Sequence, residues 1–241
     1  IMKKFISVIL CFVMVFAMFS TAAFAGNGDN IVEHEGKTYN LTNNHPWVFV
    51  HGMGGWDYFD GGKEAYWGGW AASEGDVIAL YNSHGIEAYA AVVGPFNSAW
   101  DRSCELFAQL TGTVVDYGEA HAKEHNHARY GRTYSTPLFE GWGEKINGGQ
   151  RVKINLVGHS FGGATVRLLT SLLEYGNEAE RNAENTEGEI SPLFEGGKGN
   201  WINSVTALCA PHNGSSLTEV LNSVGGLVGI KDTTDMLVNL C

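Results

Sequence analysis

An apolar run, Val152-Lys153-Ile154-Asn155-Leu156-Val157, leads without interruption into Gly158-His159-Ser160-Phe161-Gly162. After Gly163 the apolar residues Val166, Leu168, Leu169, Leu172 and Leu173 return at helical spacing as far as Tyr175. A strand, a turn and a helix in immediate succession require a sharp turn, and the flanking glycines permit it because no Cβ stands between strand and helix. In this setting Gly-x-Ser-x-Gly strains its serine out over the edge of a sheet. A serine hydroxyl attacks a carbonyl only if a base takes its proton and preorganised N–H donors receive the oxyanion. Ser160 is therefore a candidate nucleophile.

The rest of the chain repeats the alternation. Trp47–Val50, Ala88–Val93 and Ser204–Cys209 read as buried strands closed by Gly or Pro, and Ser73–His84 and Ser103–Val115 read as helices. Strands alternating with helices predict an α/β fold, a mainly parallel sheet with helices on both faces. Two oxyanion donors can be placed: the backbone N–H of Phe161, directly after the serine, and that of Met53 in His51-Gly52-Met53-Gly54-Gly55, the loop after the first of these strands. His51 and His159 lie in or beside turns and precede the serine, so both read as structural. His212 follows the serine but ends only the first strand after the elbow, whereas the hydrolase order takes an acid and then a histidine from later strands. The polar stretch from Gly176 to Gly199 reads as a surface excursion.

Lys3 and Lys4, the apolar run Phe5–Phe19 and the small-x-small site Ala23-Phe24-Ala25 form a signal-peptide pattern. The run is shorter than the roughly 20 residues of a spanning helix. Residues 1–25 are thus expected to be removed on secretion, leaving residues 26–241 as one domain. The formal charge of −11 becomes −13 as Lys3 and Lys4 leave without an acid, which argues against nucleic acid and anionic membrane surfaces as partners and against stable membrane insertion. Charge does not discriminate among neutral ester substrates. Three cysteines remain, Cys104, Cys209 and Cys241; their odd number and wide spacing predict no disulfide, and Cys104 and Cys209 are expected as buried, inert thiols.

Many ordered segments resemble the secreted zinc-containing lipases of bacilli and staphylococci: Val50-His51-Gly52-Met53-Gly54-Gly55-Trp56, Tyr66-Trp67-Gly68-Gly69, Asn97-Ser98-Ala99-Trp100-Asp101-Arg102, Thr113-Val114-Val115-Asp116-Tyr117-Gly118, His127-Ala128-Arg129-Tyr130-Gly131-Arg132-Thr133-Tyr134 and Ser191-Pro192-Leu193-Phe194-Glu195-Gly196-Gly197. The resemblance covers essentially the whole chain after residue 25 and implies an α/β-hydrolase fold, Ser160 as nucleophile, and a triacylglycerol lipase that meets lipid or other ester substrates at an interface. A short-chain or polyester-cleaving esterase is the alternative. In the family the position of Met53 is usually Phe and that of Phe161 usually Gln; both act through backbone, so the departures bear on acyl-pocket shape.

Glu119–His127 carries three histidines. By itself it reads first as a histidine-rich exposed helix end and second as a metal site, because His121 and His127, six apart, share a face only if the helix breaks near Asn126. The resemblance reverses the order: it implies structural Zn²⁺ on Asp101, His121 and His127, with His125 not a ligand and the fourth ligand an aspartate of a later segment. That segment, the catalytic aspartate and histidine, and the ligands of a possible Ca²⁺ all match positions beyond Cys241, so the 241 residues alone are expected to be a catalytically incomplete portion ending in the lid region. Asp232 and Asp235 are not substitutes. The apolar stripe Leu217–Val228 is expected to be a lid over the site, or otherwise an ordinary core helix.

Overall fold

The computed structural model describes residues 31–34, 37–40, 45–55, 65–67, 76–145, 151–184 and 188–214. The signal segment, Cys241 and the stripe from Leu217 to Val228 lie outside these residues.

Strands β1 (Ile31–His34) and β2 (Lys37–Asn40) form an antiparallel hairpin. The main sheet is built from β3 (Trp47–Val50), β4 (Ala88–Ala91), β7 (Ile154–His159) and β8 (Ile202–Leu208), in the order β4-β3-β7-β8 and parallel throughout. The chain steps outward from β3 to β4, then returns to the other side of β3 as β7. The carboxyl ends of β3 and β7 are therefore a topological switch point, where loops diverge and leave a crevice. Val50 lies opposite Gly158 in the register, so the loop after β3 and the turn after β7 emerge side by side.

Alternate side chains of these strands enter two cores. On one face Val48, Val50, Ile154 and Leu156 pack against α2 (Ala99–Thr111) and α4 (Phe161–Tyr175) through Leu106, Leu110, Val166, Leu169 and Leu173. On the other, Phe49 and Val157 meet Ile78 of α1 (Val77–Ser83) and Trp67. Each fully buried aliphatic side chain contributes about 1.5–3 kcal/mol, so helices cover both faces as the alternation predicts. A fully buried polar residue of β7 is hydrogen-bonded through both amide atoms: Asn155 donates to His45 O at 3.0 Å and accepts from Asn203 and Ser204 at 2.8 and 2.6 Å.

Several boundaries differ from expectation. The helix expected at Ser103–Val115 is α2, which starts four residues earlier because the Ser98 hydroxyl caps it by accepting from Asp101 N. It stops at Gly112, at φ +66, where an added Cβ would lie 2.6 Å from Pro137 N. Val114 and Val115 thereby enter β5 (Val114–Asp116), which pairs antiparallel with β6 (Tyr130–Thr133). Between them lies α3 (Glu119–His125). The stretch Gly176–Gly199 is not merely a surface excursion. It holds α5 (Glu178–Asn182) and α6 (Pro192–Glu195), with Leu193 and Phe194 fully buried. Cys104 is buried, and burial pushes its thiol pKa well up, as an inert cysteine requires. Cys209 corrects the expectation. It follows β8 at φ 52 and is exposed, as are Val205, Thr206 and Ala207 of the same strand at the edge of the described sheet. Both are free thiols.

Candidate active site

Ser160 sits between β7 and α4 with φ 53 and ψ −124, a conformation that costs a non-glycine residue about 1–3 kcal/mol. The surrounding contacts hold it there. Ser160 N donates to Leu208 O of β8 at 2.8 Å, and Ser160 O accepts from Gly163 N at 3.0 Å. A Cβ on Gly158 would lie 2.3 Å from Gly162 O, and one on Gly162 would lie 2.2 Å from Val50 O. Only glycine at both positions lets β3, β7 and α4 converge on the serine. Ser160 Oγ makes no hydrogen bond among the described residues.

The loop after β3 closes on the elbow. A Cβ added to Gly52 would lie 2.8 Å from Ser160 Cβ. Gly54 N donates to Pro95 O at 2.8 Å and Gly55 N to Gly52 O at 3.3 Å, which shapes the loop around Met53. Neither Met53 N–H nor Phe161 N–H has an acceptor among the described residues: Met53 lies on an exposed loop, and Phe161 opens α4, whose first N–H groups have no partner within the helix. Two unpaired donors flanking a strained serine can receive an oxygen that gains negative charge.

Two of the three histidines near this site, His51 and His159, are held by side-chain hydrogen bonds within the fold. Buried His51 accepts from Val93 N at its Nε2 (3.2 Å) and lies 2.8 Å from Gly52 O through Nδ1; this network assigns the proton to Nδ1. His159 Nδ1 meets the Tyr66 hydroxyl, and burial pushes its pKa down. His212 is exposed on the loop after β8. No base stands within hydrogen-bond reach of Ser160 Oγ among the described residues.

Beneath the loop lies Arg102 of α2, fully buried. It donates to His51 O, to Gly94 O at 2.6 Å and to Thr165 Oγ1 at 3.0 Å. Burial lowers its pKa to about 10, which leaves it protonated at neutral pH. One turn along, Glu105 accepts from Gly94 N and from Asn97 Nδ2 at 2.7 Å, bracing the neighbouring loop. Two charges, Arg102 and Glu105, beside and within the otherwise apolar run Cys104–Leu110 were a signal of buried polar work that periodicity alone did not read.

A second cluster lies at the junction of α2, α3 and β6. One ligand atom each from Asp101, His121 and His127 falls within 4.8 Å of the others. The α3 helix ends at His125 because Asn126 takes φ 54, the left-handed conformation, and this break brings His127 back towards His121. Asp101 Oδ1 lies 3.0 Å from His121 Nε2, while its Oδ2 accepts from the Ser98 hydroxyl at 2.9 Å. His127 Nδ1 lies 2.8 Å from Ala128 O, leaving Nε2 for another partner. Trp100 stacks between His121 and Phe194, at 5.0 and 5.4 Å between ring centroids. Glu180 of α5 accepts from Ala120 N and His121 N at 3.0 and 2.8 Å, capping α3 from sixty residues away. Burial lowers the His121 pKa, favouring the neutral imidazole that a metal requires. Arg129, on the same side, bonds both oxygens of Asp116 at 2.9 and 2.8 Å and reaches Glu119 at 3.4 Å.

Comparison with known proteins agrees with this architecture. Residues 43–228 match the family described as lipase-like, C-terminal domain. A lipase of Staphylococcus epidermidis is 39 % identical over 210 residues, which is 82 % of this chain and 29 % of that protein. Lipase 1 from Pelosinus fermentans superposes with a TM-score of 0.68 at 44 % identity, covering 78 % of this chain and 48 % of its own. EstA from Clostridium botulinum gives 0.64 at 42 % identity, covering 81 % and 44 %. The chain thus spans under a third of that staphylococcal relative and about half of the solved neighbours. With its family match over residues 43–228 and its parallel sheet flanked by helices, this chain belongs to the lipase-like C-terminal domain family.

Proposed function

We propose that this chain carries the nucleophile and oxyanion donors of a secreted, triacylglycerol lipase-type carboxylic ester hydrolase. The observation that carries the reading is the backbone of Ser160, held at φ 53 between β7 and α4 with Gly52 packed against its Cβ. Ser160 Oγ attacks the ester carbonyl carbon and its proton passes to a general base. The carbonyl oxygen, now an oxyanion, accepts from Met53 and Phe161 N–H. Collapse expels the alcohol and leaves acyl-Ser160, which water cleaves to free the acid. The base belongs to residues other than the described histidines. Export rests on Lys3, Lys4, the apolar run and Ala23–Ala25.

The test uses the full-length protein: a fluorophosphonate probe is expected to label Ser160, located by peptide mass spectrometry, and hydrolysis is expected to persist from butyryl to long-chain acyl esters. Activity confined to the shortest acyl groups would assign an esterase instead. Labelling elsewhere would remove Ser160 from the mechanism.

Asp101, His121 and His127 hold structural Zn²⁺ in this reading. Two imidazoles and a carboxylate suit that ion, and the Ala128 carbonyl on His127 Nδ1 and the Ser98 hydroxyl on Asp101 supply the outer hydrogen bonds that ligands of this kind use. Elemental analysis is expected to find one zinc per chain, absent in His121→Ala. Chelation is expected to lower the unfolding midpoint by roughly 8–16 °C, from ~4 kcal/mol of linked binding at 2–4 °C per kcal/mol. Unchanged zinc content in His121→Ala would refute the site.

A further inference from the structure

An oxyanion donor is only as effective as the orientation of its peptide plane. In a trans peptide the N–H points opposite to the C=O of the same plane, so whatever holds Gly52 O aims Met53 N–H. Two side chains hold it: His51 Nδ1 at 2.8 Å and Arg102 Nη1 at 3.5 Å. Arg102 also donates to the adjoining carbonyl of His51 and to Gly94 O, so one guanidinium grips two successive carbonyls of the loop. Its Nε reaches in the other direction, to Thr165 Oγ1 on α4, and that hydroxyl donates to Phe161 O at 3.1 Å. The guanidinium carbon lies 5.4 Å from the centre of the Phe161 ring, within cation–π range. A single buried side chain touches the peptide of one donor and the residue that supplies the other.

We propose that Arg102 is a positioning residue of the oxyanion hole, locking the Gly52–Met53 peptide and Phe161 in one relative geometry. The inference rests on the reading of Ser160 as the nucleophile. A guanidinium suits the task because its planar fork presents five donors in fixed directions; a lysine ammonium in the same place cannot span both elements. Hydrogen bonds on Gly52 O also polarise that peptide and strengthen its N–H as a donor. A purely structural Arg102 would stabilise the fold without changing the rate per active site.

The experiment compares Arg102→Lys and His51→Gln with the unsubstituted full-length protein on p-nitrophenyl butyrate. Active sites are counted by end-point titration with a fluorophosphonate, so misfolded protein does not enter the rate. Per titrated site, kcat is expected to fall by about 10- to 100-fold with KM within about twofold, part of the 10²–10³ lost when a donor is removed outright. An alkyl trifluoromethyl ketone, whose hemiketal oxygen occupies the oxyanion position, is expected to bind more weakly by the factor that kcat/KM loses. An unchanged kcat per site, or unchanged trifluoromethyl ketone binding, would overturn the proposal. Should Arg102→Lys fail to fold, Thr165→Val, which removes the hydroxyl linking Arg102 Nε to Phe161 O, carries the same expectation and the same refutation. No labelling of Ser160 in the unsubstituted protein would overturn the nucleophile reading and this role with it; labelling with unchanged kinetics would overturn this role alone.

Discussion

Ser160→Ala in the full-length protein is expected to lower ester hydrolysis by on the order of 10⁴- to 10⁶-fold, while the protein still folds. The magnitude follows from losing the covalent route: without the hydroxyl, only oxyanion donation and binding remain, and these leave a small residue of catalysis over water. Folding is spared because Ser160 Oγ makes no hydrogen bond among the described residues, and the bonds that hold the turn are backbone bonds to Leu208 O and from Gly163 N. Ser160→Gly separates chemistry from strain. At φ 53 a Cβ is penalised and glycine is not, so Ser160→Gly is expected to be inactive yet more stable than Ser160→Ala by about 1 kcal/mol in urea unfolding. Retention of a tenth or more of the activity in Ser160→Ala would remove the serine from the reaction. Equal stability of the two variants would show that the elbow stores no strain at this residue.

Arg129→Met is expected to cost about 3–5 kcal/mol of stability, or roughly 6–20 °C in the unfolding midpoint. Arg129, Asp116 and Glu119 are all buried to within a tenth of their surface. The guanidinium bonds both Asp116 oxygens, reaches Glu119 and donates to Glu189 O at 2.8 Å. Those bonds with Asp116 hold the Arg129 pKa above its already high ordinary value, so it stays charged at any working pH. Removing it takes the guanidinium away from two buried carboxylates; Glu119 keeps a bond to the exposed Lys123 at 2.8 Å. The cost is therefore that of unpaired buried charge more than of a lost attraction. Arg129→Met with Asp116→Asn is expected to recover part of it, since the amide oxygen can still accept from Gly118 N, bonded to Asp116 Oδ1 at 2.9 Å. If the double variant is no more stable than Arg129→Met alone, the unpaired-charge account fails.

Local spacing made the centre of the fold legible. The run ending at Val157, the Gly-x-Ser-x-Gly turn and the stripe from Val166 to Leu173 became β7, the strained elbow and α4, because each signal there is short-range: apolar period, glycine freedom and the absence of a Cβ. The exposed-or-buried fate of single residues was less accessible. Cys209 belongs to an apolar run, yet it and Val205, Thr206 and Ala207 of β8 are exposed, because what covers a strand at a sheet edge is not encoded in its own apolar pattern. The polar stretch after Gly176 hid Leu193 and Phe194, whose burial depends on α4 and Trp100 rather than on neighbours in sequence.

The same division runs through the candidate sites. That Ser160 ends a strand and begins a helix, and that His121 and His127 need a break near Asn126 to meet, could be reasoned from order and spacing, as could the proposed use of Met53 and Phe161 through backbone rather than side chain. Only the tertiary structure decided which groups hold those atoms in place. Arg102 grips a loop fifty residues away, Glu180 caps the helix of His121 from sixty, and Gly162 is forced to be glycine by a carbonyl of β3. The physical reason is that chain order and periodicity specify elements, whereas hydrogen bonds and close approaches between elements depend on how the completed layers stack.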